Sequence, residues 1–229
     1  MNDELEGLRD DLNTALNEAT LVGAVVVETD RRANITLAAL SLPEEGPVPD
    51  DPRVMLVLAP VGRVAASLRG GRWDDKAAPI RPFLLSQLMD VVSSFRGQAI
   101  YGWDFIDASP DDFARWSDRL SLDIRLGQGD GLTHTLDLFQ EWPWDPAQHL
   151  DIRFWFDTVQ VFRPSGDTFV RIPLATFAAD GKRWWNGLRI GDPRTAGHGI
   201  ISGVGMTPNE TSRMTESLKK EGRDPSGPH

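Results

Sequence analysis

The sequence predicts an α+β protein of mostly antiparallel β-structure: two packed sheets with two or three helices, and an internal duplication as a further possibility to be tested. Three observations carry this expectation. Leu150, Ile152, Phe154 and Phe156 alternate with Asp151, Arg153, Trp155 and Asp157, the period-2 signature of a strand with one dry face and one wet face. Leu132, Leu136 and Leu138 keep that alternation before a Trp-Pro-Trp-Asp-Pro turn at 142–146, which makes residues 132–163 a long β-hairpin. Extended segments recur every ten residues or so, separated by hairpin-type loops, which gives about nine to eleven strands and argues against a parallel α/β fold.

In chain order, Leu5, Leu8, Leu12, Leu16 and Ala19 fall at spacings of three and four, an amphipathic helix with acids in its first turn. Leu21 to Glu28 and Asn34 to Leu42 are rich in Val, Ile, Thr and Leu and read as two strands. The four prolines between Pro43 and Pro52 impose a surface loop, because proline lacks the N–H that either ladder requires. Val54–Leu58 and Val61–Leu68 resume strand character, and Gly70–Pro79 breaks it. Leu84, Leu85, Leu88, Val91, Val92 and Phe95 share one helical face that stops at Gly97. Ala99–Ile106 reads as a buried strand.

Ser109-Pro110-Asp111-Asp112 starts a short helix: Ser109 can cap and Pro110 suits the first helical position. Leu120 to Leu126 alternates as one more half-buried strand, and Gly127–Gly131 turns into the long hairpin. Short strands follow at Phe169–Ile172 and Arg183–Ile190. The expected organisation is a first α/β-hairpin module at 1–107, a second β-rich module at 108–190 packed on it as one globular unit, and a flexible tail at 191–229. The order helix, strand, strand, proline loop, strand pair occurs in 3–67 and again in 109–165. A true duplication would set two similar sheets around a pseudo-twofold axis. Antiparallel strands of Val, Leu and Ile also resemble each other by composition alone, which is the reading set before a duplication.

Composition narrows function mainly by exclusion. The chain has no cysteine, which removes disulfides and thiolate chemistry. An acidic start and a longest apolar run of Leu21–Val27 match neither a signal peptide nor a membrane span, so a cytoplasmic location is expected. Twenty Arg against four Lys, with abundant Ala, Gly and Pro, suggest a GC-rich bacterial genome. Net charge is -10. Without a dense basic cluster, nucleic-acid binding is disfavoured, while a basic protein partner would be attracted.

Chemistry-bearing motifs are sparse. His134 is in phase with Leu132 and Leu136 and is read as a hydrogen-bonded core residue before a general base. His149 reads as a turn cap, and His198 lacks a local partner. No HExxH or HxH spacing, GxSxG elbow or phosphate loop occurs, so neither metal nor cofactor is expected. The glycines at 197, 199, 203 and 205 lack the flanking strand and helix of a dinucleotide site. Asp104 and Asp107 form the one acidic pair with catalytic potential, set against an ordinary solvated strand end. Trp155 beside Arg153 and Asp151, with Trp142 and Trp144 in the turn, resembles a protein-binding hot spot or a sugar-stacking platform; a covering helix would turn the same residues into core.

The sequence therefore points first to a non-catalytic binding module, of immunity-protein, inhibitor or adaptor type, using Trp155, Arg153, Asp151, Trp142 and Trp144 on an acidic sheet face. The alternatives are a small-ligand binder or hydrolase using His134, Asp104 and Asp107 in a cleft between the modules, and a structural subunit of a larger assembly.

Overall fold

The computed structural model describes residues 4–95, 97–127, 132–166 and 168–196. Within them the chain runs α1 (Glu4–Leu16), β1 (Thr20–Val27), β2 (Arg32–Ala38), β3 (Arg53–Gly70), α2 (Leu88–Ser93), α3 (Pro110–Ala114), β4 (Leu122–Arg125), β5 (His134–Trp142), β6 (Gln148–Ser165), β7 (Thr168–Ile172) and α4 (Leu174–Ile190). The α+β class with an antiparallel sheet is as expected. The seven described strands are hydrogen-bonded into one sheet rather than two, in the order β1-β2-β3-β6-β5, with β4 on β3 and β7 on β6.

β3 and β6, of 18 residues each, form the spine of the sheet. They pair from Met55↔Phe162 to Gly70↔Gln148. The segments expected as two strands, Val54–Leu58 and Val61–Leu68, are one strand, carried through Pro60 and an irregularity between Val61 and Arg63. Along its outer edge β3 takes β2 at Arg53–Leu58 and then β4 at Arg63–Ala66. β6 likewise takes β5 at Gln148–Phe156 and then β7 at Val161–Ser165.

The register places Val64, Ala66 and Leu68 across from Phe154, Ile152 and Leu150, and those across from Leu136, Leu138 and Gln140. This is the dry face, and the main core forms where α1, α2 and the start of α4 cover it with Leu12, Leu16, Leu88, Val92, Leu174 and Phe177. Burial of such side chains contributes about 1.5–3 kcal/mol each. α1 and α4 approach so closely that a Cβ on Gly181 would lie 2.3 Å from that of Ala15.

Two elements differ from expectation. Arg183–Ile190 is not a strand but the second half of α4. Leu174, Phe177, Ala178, Gly181 and Trp184 repeat at helical spacing and are buried, and the adjacent tryptophans hide that period by imitating a strand's aromatic content. Ala99–Ile106 is extended but irregular, joined to the sheet through isolated bridges and three main-chain bonds to β5: Tyr101 to Phe139, Phe105 to Asp137 and Asp107 to Thr135. Residues 191–196, expected as the start of the tail, are packed instead. Thr195 is buried, and Arg194 donates to the carbonyls of Pro43 and Gly46 in the proline loop. The glycine segment at 197–205, His198, His229, the remainder of the tail and residues 128–131 lie outside the described residues.

Candidate functional site

The wet face of the sheet spine carries Arg63, Ala65, Ser67 and Arg69 on β3, across from Trp155, Arg153, Asp151 and His149 on β6. On β5 the same face carries Thr135, Asp137, Phe139 and Glu141. This confirms the alternation in Leu150–Phe156, but the face is not open to a partner. α3 covers its Arg63 end, starting where Ser109 Oγ accepts from the Asp111 N–H with Pro110 at the first helical position. Phe113 meets Trp155 edge-on at 5.1 Å, and the Arg63 guanidinium lies 4.7 Å from the Trp155 ring centroid. Arg153 is 3% exposed, bonded to Asp137 and to the carbonyls of Ala108 and Ser109. Of the five residues expected to form a recognition face, Trp144 alone is well exposed, with Trp142 tucked beneath it.

Beyond α3 the covering is incomplete, leaving a cleft of about 740 Å³. Asp137, Phe139 and Asp151 line it from the sheet and Arg69 from the end of β3, with the loop 73–76 and the segment 101–119 as walls. Asn13 in α1 anchors one wall: its buried Oδ1 accepts from the N–H groups of Phe105 (2.9 Å) and Ile106 (2.8 Å). Gly102, at φ +144°, turns the chain between Tyr101 and Trp103 in a conformation closed to most side chains. Tyr101 and Trp103 are left at the rim with Trp73, and Trp103 is 78% exposed.

The two carboxylates that the sheet sends into the cleft each have an arginine. Asp151 accepts from Arg69 Nη2 at 2.8 Å, and Asp137 from Arg153 Nε. Burial nevertheless dominates, because each carboxylate has lost most of its water; both are pushed up to about 6, against the opposing pull of those arginines. Arg69 Nε and Asp137 Oδ2 are buried without a well-formed hydrogen bond in the cleft lining. Behind Arg69, the buried His149 donates from Nδ1 to the Gly71 carbonyl (2.9 Å), and burial lowers its pKa.

No family model, curated protein or solved structure matches the chain. The site is therefore read from its own chemistry. Among the described residues no group of three or more His, Asp or Glu is arranged to hold a metal ion. No described helix is long and apolar enough to cross a membrane.

The proposed His134–Asp104–Asp107 constellation divides. Asp107 pairs with His134, Oδ2 to Nδ1 at 2.8 Å, and its Oδ1 accepts from the Thr135 N–H. It holds a left-handed backbone (φ +54°) to do so, and His134 is 3% exposed beside Phe156. Asp104 faces the cleft, which neither His134 nor Asp107 lines. Sequence reasoning placed Asp151 on the wet face but missed Asp137, Arg69, Trp73 and Tyr101. Alternation gave Asp137 the phase of Thr135 and Phe139, and a tryptophan inside the Gly- and Asp-rich stretch 70–76 was the other available signal.

Proposed function

We propose that this chain is a small-ligand-binding protein whose site is the cleft between the sheet and the 101–119 segment. One observation carries the reading: a concavity of 740 Å³ combines exposed aromatic rings at its rim with buried, incompletely satisfied polar groups among its lining residues. Volumes of about 300–1,000 Å³, with mainly apolar walls and a few convergent polar groups, are the usual dimensions of small-molecule sites. Exposed indoles are energetically useful when a ligand stacks on them. The test is to follow the indole N–H resonances during a metabolite screen. A ligand of this site shifts Trp103 and Trp73 and leaves the buried Trp184 unmoved; binders that move only Trp144 would refute the assignment.

A second reading, recognition of another protein, is favoured by the same exposed rim of Trp73, Tyr101 and Trp103 together with the net charge of -10, which would attract a basic partner. The expected face at Trp155 and Arg153 is replaced in it by this rim. The internal duplication also remains a proposal. Its support is that β3 and β6 each bear two shorter strands in succession along the outer edge.

A further inference from the structure

Resting on the cleft-binding reading above, we infer that the ligand class is a neutral polyhydroxylated ring, that is, a mono- or disaccharide. The balance of charge inside the cleft leads to this class. Opposite charges are interleaved in the lining, where five aspartates stand beside four Lys or Arg residues. Arg153, bonded to Asp137 from behind, brings the arrangement to parity.

At the sheet floor of the cleft this pairing disfavours charged ligands of either sign. A cation approaching Asp151 or Asp137 meets a guanidinium already bound there, and an anion approaching Arg69 meets the Asp151 carboxylate. Either would surrender its hydration for little net attraction. A wholly apolar ligand would displace water from the polar edges of the Arg69–Asp151 pair and return no hydrogen bond to them.

A sugar ring answers both needs. Its hydroxyls each donate and accept, so one can donate to a carboxylate oxygen while another accepts from a guanidinium N–H. Its C–H faces are apolar and flat, suited to the indole and phenol faces of Trp103, Trp73 and Tyr101. Trp103 and Trp73 are 78% and 59% exposed, so they can present an open face.

The experiment uses the full chain and indole N–H resonances, with four neutral disaccharides (maltose, cellobiose, lactose and N,N′-diacetylchitobiose), spermidine as cation and citrate as anion. The inference expects saturable shifts of Trp103 and Trp73 with at least one disaccharide and none with spermidine or citrate. Trp103→Ala should weaken that disaccharide about tenfold, and Trp73→Ala should also weaken it. Trp144→Ala, outside the cleft, should leave it unchanged. Both cleft substitutions are at exposed positions, so loss of folding will not obscure the result. Saturation by spermidine or citrate alone, through the same indoles, overturns the ligand class and leaves the cleft as a site. Absence of any shift at Trp103 and Trp73 with all six probes overturns the sugar inference and counts against the cleft itself.

Discussion

The half-buried Asp151, whose carboxylate is largely desolvated, leads to a quantitative prediction about how stability depends on pH. Its carboxyl is raised to about 6 in the folded chain, against about 3.9 in an unfolded one. Below about pH 4 both states hold the proton and the residue is neutral in its effect. Between about 4 and 6 the unfolded state loses its proton while the folded state retains it, so stability falls as pH rises. Above 6 the deficit is constant, about 3 kcal/mol at 1.36 kcal/mol per unit.

Asp151→Asn cannot ionise, and its stability should lack this component. The informative quantity is the difference between the two proteins at two pH values, because the intrinsic effect of the amide cancels. Urea unfolding is best compared at pH 5 and pH 7.5, on either side of the folded-state value of about 6. Over that window about one unit of the shift is traversed, so Asp151→Asn should gain about 1.4 kcal/mol on the parent. A difference that stays flat, with the Asp151 carboxyl carbon titrating near 4 by NMR, would refute the claim that desolvation outweighs Arg69 at this site.

Two further predictions concern the supports of the cleft and the core. Gly181→Ala places a Cβ 2.5 Å from the Cα of Ala15, so despite a gain of about 1 kcal/mol in helix propensity it should destabilise the protein by about 1–3 kcal/mol; an unchanged denaturation midpoint would contradict the close crossing of α1 and α4. Asn13→Ala leaves the amides of Phe105 and Ile106 buried without their acceptor, which should cost about 2 kcal/mol or more and accelerate hydrogen exchange at those two amides; protection equal to the parent's would show that Asn13 does not hold the wall of the cleft.

How far the fold could be read from the sequence depended on whether local pattern and tertiary surroundings agree. β6 was legible because its period-2 alternation is long and its wet face remains chemically polar even where α3 covers it. α3 was legible because Ser109 and Pro110 form a local start signal that needs no tertiary support. The second half of α4 was not, since Trp184 and Trp185 raise apparent strand propensity while the helix is decided by contacts with α1 and the Leu40–Leu42 segment. Exposure of the wet face could not be inferred either. Alternation says that Arg153 and Trp155 share a side, but not that a segment beginning more than forty residues earlier lies across it. The cleft exists because that segment covers only part of the face, and its charge pairs join positions as distant as Arg69 and Asp151, a proximity that no local spacing encodes.

The spine of the sheet is also the seam between the two halves of the chain. Most of what joins residues before Gly71 to those after Ala147 is main-chain hydrogen bonding along β3 and β6, which no side-chain substitution can weaken evenly. Separately expressed fragments cut near residue 107 would each expose a long unsatisfied strand margin, prone to self-association. Mixed together, they carry complementary margins with a defined register, which makes the protein a natural starting point for a split reporter reassembled by strand complementation.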